Sequence, residues 1–345
     1  MSKLRIGYVP ITSDLNHPGD RRRLVYWARK RGHTITLDKE EKVDVVVLTE
    51  RADFFAPRRN WSGSPLVLDL IDGYLGDERI WKDLARGVGK VLVGQMSGPP
   101  RGYKELLIRA CEDSQAVICE TPEQRQTILK HCKNTHAILS IHEEFPMLGP
   151  QQLKTHALMW EGLPFTASGL KLLEKALVKL TPSFSPTLNV VTDLKYPQIL
   201  GAYRYRDTGK VLGKIPKILG GKLRITEWSL SSVVETAKNS QIALLPLDPR
   251  GKLNSLKAEN RLLIMWRLGL PTLTSPSLAY NRVMHAVGLN EVCTSPDGWT
   301  SKLQQLFESQ SLRNEVVTRG QQYIRDTHSE KIVLDAWDRA IESVL

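Results

Sequence analysis

Short apolar runs alternate with helical patterns through both halves of the chain, and this alternation leaves few folds open. In the first half, Leu4–Val9, Leu66–Ile71 and Ala116–Cys119 are continuously apolar, which is typical of parallel strands covered by helices on both faces. In the second half, Leu188–Val191 and Ile242–Leu245 repeat the pattern. The alternation predicts an α/β fold with two doubly wound, Rossmann-like domains that face a cleft.

The length of 345 residues also favours two domains, because one core rarely organises so long a chain. We predict an N-terminal domain over 1–155, ending in a linker that carries two prolines and a glycine. A C-terminal domain follows over 156–325. Residues 326–345 form a final helix with Trp337 on its apolar side.

The sequence predicts a cytoplasmic protein. No apolar run approaches the ~18–20 residues that span a bilayer, and the first eleven residues do not resemble a secretory leader. The four cysteines include no C-x-x-C pair and are too few for a disulfide framework, which fits a reducing compartment.

The formal net charge of +11 favours anionic partners. Eight basic residues and one acidic residue lie between Lys195 and Arg224, interleaved with three tyrosines. This stretch could stack nucleic-acid bases, rest on anionic lipid heads at the inner membrane face, or form a solvated rim. The run Arg21-Arg22-Arg23 at a helix start would be stabilised by a nearby anion, since a helix N-terminus is itself positive.

A strand, a flexible loop and a very apolar helix follow one another between Ile242 and Leu268. The loop and the first helical turn carry Arg250, Lys252, Lys257 and Arg261, which could neutralise a diphosphate at a helix N-terminus. The alternative is a buried helix whose charged first turn is solvated.

The segment Lys257-Ala-Glu-Asn-Arg261, with its apolar helix and the following Gly269-Leu-Pro271, resembles the donor-binding segment of GT-B fold glycosyltransferases. It is similar to group 1, family-4-like enzymes, and the resemblance extends weakly over the second half. The run Asp69–Asp72 in the first half also resembles a segment of this family. In that fold, the C-terminal helix with Trp337 crosses back onto the first domain.

The resemblance implies a transferase that moves a sugar from a nucleotide-diphosphate sugar to an acceptor hydroxyl, in glycan, polysaccharide or glycoconjugate biosynthesis. It implies an N-terminal acceptor domain, a C-terminal donor domain, and a glycan, lipid-linked or small-molecule acceptor. No cofactor or metal is expected, because the chain has no Asp-x-Asp motif. The implied donor-binding residues are Glu227, Trp228, Arg250, Lys252, Asn254, Lys257, Glu259, Asn260 and Arg261.

The sequence departs from the family at one motif. Family-4 enzymes carry two glutamates separated by seven residues, and the corresponding positions here are Leu256 and Ile264. Glu259 is the candidate substitute for the missing hydroxyl ligand. Because the motif is incomplete, a non-catalytic GT-B-like protein that binds a polyanion through its basic face is the alternative function. A sugar-nucleotide epimerase of related architecture is a third.

Three residues after predicted strands are candidate catalytic bases for an inverting reaction. His17 and Asp14 lie in the loop after the first strand, and Asp72 follows Leu66–Ile71. The alternatives are a solvated loop histidine and turn-capping aspartates, and a retaining enzyme might need no such base. His131, Cys132, His136 and His142 lack the spacing of a closed zinc set.

Overall fold

A computed structural model describes residues 2–55, 61, 63–76, 80–198, 201–248, 254 and 256–345, without the side chains of 80–82, 197–198 and 201–204. The chain divides into two compact units. Unit 1 comprises Met1–Ile141, Leu256–Ala258 and His328–Leu345. Unit 2 comprises His142–Ser255 and Glu259–Thr327. Residues 142–155, which the sequence analysis assigns to the first domain, cluster with unit 2.

Unit 1 is built on a sheet of six parallel strands in the order β2-β1-β3-β4-β5-β6. The strands are β1 Arg5–Val9, β2 Thr34–Thr36, β3 Val45–Thr49, β4 Leu66–Leu70, β5 Ala116–Cys119 and β6 Thr135–Ala137. The helices are α1 Pro18–Arg21, α2 Leu24–Arg31, α3 Ile80–Leu92, α4 Tyr103–Asp113, α5 Pro122–Ile128 and α13 Glu330–Glu342, with a 3-10 turn at Tyr74–Gly76. Helix α5 begins at the Thr121-Pro122 start that its sequence predicts, with a complete capping box formed by Thr121 and Gln124.

Both faces of this sheet are covered by apolar side chains, as the continuous apolar strands predict. Helices α2 and α13 cover one face together. Trp27 of α2 stacks on Trp337 of α13 with ring centroids 5.8 Å apart, and its indole N–H donates to Asp338 at 2.7 Å. The C-terminal helix is therefore part of the core of unit 1.

A buried ion pair crosses the same unit. The Arg23 guanidinium, which immediately precedes α2, lies 2.5 Å from the Asp69 carboxylate of β4, and both side chains are fully buried. Glu120 lies 3.5 Å from the same guanidinium. The anion that the Arg21–Arg23 run predicts is thus supplied within the protein.

Unit 2 contains a parallel five-stranded sheet in the order β11-β8-β7-β12-β13. The strands are β7 Ala157–Glu161, β8 Thr187–Thr192, β11 Leu223–Glu227, β12 Ile242–Leu245 and β13 Thr272–Thr274, and a separate antiparallel hairpin joins β9 Lys195–Gln198 to β10 Gly201–Asp207. The helices are α6 Glu174–Phe184, α7 Ile215–Ile218, α8 Leu230–Lys238, α9 Asn260–Arg267, α10 Leu278–Ala286, α11 Pro296–Glu308 and α12 Gln310–Thr327, with 3-10 segments at Pro164–Leu173 and Thr208–Val211.

Helix α9 is the very apolar helix that the sequence predicts between Ile242 and Leu268. Its residues Leu262–Trp266 are buried, and it ends before Gly269, which adopts the left-handed conformation with φ +74°. A Cβ at Gly269 would lie 2.1 Å from the Gly149 carbonyl oxygen, so both the backbone angle and the close approach require glycine. None of the helices in the described ranges is both long and apolar enough to span a membrane.

Candidate functional site

In each unit, the strands end in loops at one edge of the sheet, here called its carboxyl edge. Ligands of open α/β sheets bind at that edge. In unit 1, His17, Glu50 and Asp72 follow β1, β3 and β4, which are adjacent in the sheet. The structure therefore places all three predicted catalytic residues in loops at this edge, with Asp14 in the same loop as His17, together with Glu50, which was not predicted.

Asp20 holds the loop that carries His17. Its buried carboxylate accepts hydrogen bonds from the Tyr8 hydroxyl at 2.6 Å, the Ile11 amide at 2.8 Å and the Thr12 amide at 3.0 Å. Multiple bonds to one buried carboxylate fix the loop backbone, since breaking any of them leaves a buried polar group without a partner.

The orientation of the His17 ring defines which nitrogen is available to a ligand. His17 caps α1, and its Nδ1 accepts the Gly19 amide proton at 3.1 Å. In the neutral ring the other nitrogen, Nε2, then carries the proton. Burial lowers the pKa of His17, so the neutral ring is favoured. The imidazole is thus arranged to donate a hydrogen bond through Nε2.

The two predicted aspartates differ in their surroundings. Asp14 is exposed and accepts hydrogen bonds from the Asn16 backbone and side-chain amides, each at 3.1 Å, and these bonds lower its pKa. Asp72 has 37% of its side chain exposed and lies 3.4 Å from Lys257 Nζ. Asp14 has the geometry of a turn-capping residue, whereas Asp72 presents its carboxylate at the sheet edge.

Glu50 is held unusually firmly through its backbone. Its carbonyl oxygen accepts from Lys90 Nζ at 3.1 Å, Gln95 Nε2 at 3.0 Å and the Tyr103 hydroxyl at 3.3 Å. Burial, followed by the charge of Asp72, raises the pKa of the Glu50 carboxyl to about 8. Burial also lowers the pKa of Lys90 to about 8. A carboxyl group directly after an apolar strand is the sequence signal that could have identified Glu50.

At the carboxyl edge of unit 2, three residues are joined by hydrogen bonds. The Trp228 indole N–H donates to the Glu161 carboxylate at 2.8 Å, and Arg261 donates to the Glu161 carbonyl at 3.1 Å. A Cβ at Gly162 would lie 2.6 Å from an Arg261 guanidinium nitrogen, so glycine allows this approach. Trp228 and Arg261 are predicted donor residues. Glu161 was missed, although an acidic residue ending an apolar run was a readable signal. Glu227, also a predicted donor residue, is exposed at the end of β11.

Two further predicted donor residues lie at the start of α9. Glu259 is buried and forms an ion pair of 2.8 Å with Arg282. The Asn260 side-chain oxygen lies 2.9 Å from His142 Nε2. Glu259 is the predicted substitute for the family glutamate. Its cationic partner within the protein, Arg282, was not predicted.

The other predicted donor residues do not all gather at one edge. Lys257 clusters with unit 1, next to Asp72. Asn254 is partly buried, and its side-chain amide donates to the Asp248 carbonyl at 2.8 Å. Arg250 and Lys252 lie outside the described residues. A single diphosphate grip formed by all four basic residues therefore remains a prediction.

Apolar side chains occupy the two positions of the family glutamates. Leu256 packs against Gly73 and Gly76 of unit 1, where an added Cβ would lie 2.9 Å and 2.5 Å from its side-chain atoms. Ile264 is buried in the apolar cluster that contains Phe145 and Met265. Both positions thus serve packing in this chain.

The basic stretch between Lys195 and Arg224, here called the basic face, lies in unit 2. The members with described side chains are all exposed: Lys195, Arg206, Lys210, Lys214, Lys217, Lys222 and Arg224. The Arg204 side chain lies outside the description.

The predicted helix-terminus histidines have ordinary polar neighbours. His131 Nδ1 lies 3.4 Å from Glu112, and His136 Nε2 lies 2.9 Å from the Asn134 side chain. Over the residues that the structure describes, His, Cys, Asp and Glu side chains form no group of three or more that could hold a metal ion.

Comparisons with known proteins identify the fold. No family model and no curated protein sequence matches the chain. Among solved structures, Anabaena Alr3699/HepE in complex with UDP and glucose matches with a TM-score of 0.64 and 10% identity, over 99% of this chain and 100% of that one. WaaG, a glycosyltransferase involved in lipopolysaccharide biosynthesis, matches with a TM-score of 0.56 and 14% identity, over 99% of each chain.

Staphylococcus aureus TarM, in complex with fondaparinux, α-GlcNAc-glycerol and UDP, matches with a TM-score of 0.57 and 10% identity. The match covers 86% of this chain and 55% of TarM, so the chain spans about half the length of that protein. The predicted fold class is confirmed: the chain has the GT-B fold, with two Rossmann-like domains.

Proposed function

We propose that the protein is a glycosyltransferase that uses a nucleotide-diphosphate sugar, with unit 2 as the donor-binding unit. The observation that carries the proposal is the position of Arg261 at the carboxyl edge of unit 2, in a chain whose fold is that of HepE, a protein solved with bound UDP. An arginine at the start of a helix can meet a diphosphate with its guanidinium while the helix adds its positive end.

In the proposed reaction, Arg261 stabilises the negative charge that develops on the leaving diphosphate. Arg250, Lys252 and Lys257 are proposed to add to this stabilisation. Asn254, Asn260 and Glu259 orient donor hydroxyls, and Trp228 with Glu227 lies beside the base. The acceptor is a glycan, a lipid-linked sugar or another hydroxyl compound, bound at the carboxyl edge of unit 1. The transfer is proposed to need no metal and to take place in the cytoplasm or at the inner membrane face.

At the edge of unit 1, the proposed role of His17 is to donate a hydrogen bond through Nε2, since its Nδ1 already accepts the Gly19 amide. Asp72 is the better candidate for a base, because its carboxylate is partly exposed. His17→Gln, which keeps a side-chain donor, should then retain more transfer activity than His17→Phe.

Nucleotide binding tests the proposal without knowledge of the acceptor. Thermal unfolding with millimolar UDP, GDP, ADP, TDP or CMP should give a shift with one of them, since a ligand at 100 times its Kd adds ~2.7 kcal/mol. Arg261→Ala should weaken that binding ~10–100-fold, the equivalent of one charge-assisted hydrogen bond. Arg325→Ala, an exposed arginine on α12, is the matched control and should bind normally.

The basic face supports a second candidate function, the binding of a polyanion. A short DNA duplex in the same assay, at two salt concentrations, distinguishes the two. A salt-sensitive shift with DNA, lost on neutralising Arg206 and Lys210 and accompanied by no nucleotide shift, would favour the polyanion binder.

A further inference from the structure

Glu50 is an ionisable group at the carboxyl edge of unit 1 that the proposed reaction does not yet use. Three donors hold its backbone carbonyl, as described above. Its side chain, in contrast, has one oxygen, Oε2, that is buried and without a hydrogen-bond partner. A rigid backbone that carries an unpartnered carboxyl oxygen is unusual, because such an oxygen costs ~1–3 kcal/mol when nothing meets it.

We propose that Glu50 is a specificity residue of the acceptor site, a neutral carboxylic acid that donates a hydrogen bond to an oxygen of a polyhydroxylated acceptor. This inference rests on the proposed function. It assigns the acceptor side of the reaction to a residue outside the motif that carries the family resemblance. It also defines the acceptor class as one that offers adjacent hydroxyl or ether oxygens.

Burial and the charge of Asp72 raise the pKa of the carboxyl group to about 8 and so favour its neutral form, although Lys90 and Arg51 act in the opposite direction. Among the described residues, no cation lies within 4 Å of its oxygens. Lys90, the nearest buried amine, directs its Nζ to the Glu50 carbonyl, to Gln95 at 3.2 Å and to the face of the Tyr103 ring at 4.4 Å. The charged and titratable groups that face Glu50 are Arg51 beside it, Asp69 and Asp72 from β4 and its loop, Tyr74 from the 3-10 turn, Arg86 and Lys90 from α3, and Tyr103 from α4.

The position of Glu50 makes contact with a ligand geometrically reasonable. It follows β3 directly, and Asp72 follows β4, the neighbouring strand, whose Asp69 pairs with Thr49 in register. The two carboxyl groups therefore lie at one edge, close enough for the charge of Asp72 to act on Glu50. Glu50 is only partly buried as a residue although its Oε2 is buried, so part of its surface is open to a ligand at this edge. A neutral acid beside an ionised one gives a donor and an acceptor for two neighbouring hydroxyls.

The protonation state is measurable on the full chain without a substrate. Difference infrared spectra recorded between pH 6 and pH 10 should contain the carbonyl stretch of a protonated carboxylic acid that disappears at the alkaline end. Glu50→Gln should remove this signal. Glu291→Gln, which alters a buried carboxyl in unit 2, is the matched control and should leave it. Persistence of the whole signal in Glu50→Gln would overturn the proposal.

Ligand binding tests the role itself. Saturation-transfer NMR would measure glucose, galactose, N-acetylglucosamine and glycerol, in the presence of the nucleotide that binds best. Glu50→Gln, which stays neutral and keeps a donor, should bind the preferred compound within about threefold of wild type. Glu50→Leu should lose tenfold or more. Wild-type affinity should fall above pH 8, and that of Glu50→Gln should not.

Nucleotide affinity of the same samples separates the two hypotheses and reports folding of the variants. Normal nucleotide binding together with equal sugar binding by wild type and Glu50→Leu would overturn the role of Glu50 alone, as would normal nucleotide binding with no binding of any of the four compounds. Absence of nucleotide binding by the wild-type protein would instead overturn the proposed transferase.

Discussion

The ionisable groups at the carboxyl edges of the two sheets have different surroundings. In unit 2 the charged side chains already have partners, since Arg261 bonds the Glu161 carbonyl and Glu259 pairs with Arg282. In unit 1, burial displaces the pKa of Glu50 and of Lys90, each to about 8. Arg261 keeps its positive charge, because a carbonyl oxygen does not neutralise it, and it therefore suits an anionic ligand. A carboxyl or amino group without a full charge, such as Glu50 or Lys90, suits a ligand that is recognised through its hydroxyls. This difference agrees with the proposed division, in which unit 2 binds the charged donor and unit 1 binds the acceptor.

The largest expected effect comes from the fully buried ion pair of unit 1, compared with the ion pair of unit 2, in which only the arginine is partly exposed. Arg23→Met should lower the free energy of unfolding by ~3–5 kcal/mol, because it leaves Asp69 as an uncompensated buried charge. Arg282→Met should cost less, ~1–3 kcal/mol, because Glu259 loses this ion pair but water can reach the site where 31% of the Arg282 side chain is exposed. Urea denaturation measures both, with Arg5→Met, from an exposed pair, as the control. Equal losses of unfolding free energy in Arg23→Met and Arg282→Met would contradict the expected difference between the two ion pairs.

Glutamate-to-glutamine substitutions should have opposite signs in the two units. The pKa of Glu50 rises from 4.5 to about 8 on folding, so the unfolded chain loses its proton first and wild-type stability falls as pH rises between those values. Glu50→Gln should thus stabilise the protein by ~1–3 kcal/mol at pH 9 and much less at pH 5, since a tenfold change in proton affinity is worth ~1.4 kcal/mol.

Glu259→Gln, its counterpart in unit 2, should destabilise by ~1–2 kcal/mol at both pH values, because it removes the partner of Arg282. Urea curves at the two pH values test the pair of variants. A pH-independent effect of Glu50→Gln would contradict the burial argument.

A smaller effect is expected at the tryptophan of unit 2. Trp228→Phe keeps an aromatic ring and loses the indole N–H that Glu161 accepts at 2.8 Å. The expected loss of stability is ~0.5–1.5 kcal/mol, the net value of one hydrogen bond. In a Glu161→Ala background the same substitution should cost measurably less, and an unchanged cost would show that the bond contributes nothing.

The smallest effect is expected at Asp14. Its hydrogen bonds join it to Asn16 and Thr12 within its own loop, and its side chain is exposed, so Asp14→Ala should change stability by no more than ~0.5 kcal/mol. Donor turnover, measured as release of nucleoside diphosphate, should stay within about twofold of wild type. A loss of tenfold or more would restore Asp14 as a catalytic candidate.

Much of the fold could be predicted because its strands are continuously apolar and its helix ends carry clear signals. Ile242–Leu245 and the Thr121-Pro122 start lie where the sequence places them. Strand Ala157–Glu161 was not recognised, and with it Glu161 was missed. A five-residue run that contains a tryptophan and ends in an acid has no periodicity to distinguish strand from helix.

The site was less predictable because its chemistry depends on partners distant in sequence. The pairing of Glu259 with Arg282 spans 23 positions, and that of Lys257 with Asp72 spans 185. The role of Glu50 arises from burial and from donors on α3 and α4, none of which a local motif encodes. The residue types at strand ends can be predicted from the sequence, whereas their protonation states cannot.

The stacking of α13 on α2 has a consequence for how the protein is made. Trp27 of unit 1 is synthesised before unit 2, yet it is not stacked on Trp337 until α13 is synthesised. At ~5–20 residues per second, the roughly 190 residues between Ile141 and His328 take on the order of 10–40 s to add. Unit 1 is therefore completed only after unit 2 has been synthesised, and during that interval Trp27 lacks the aromatic partner that covers it in the folded unit.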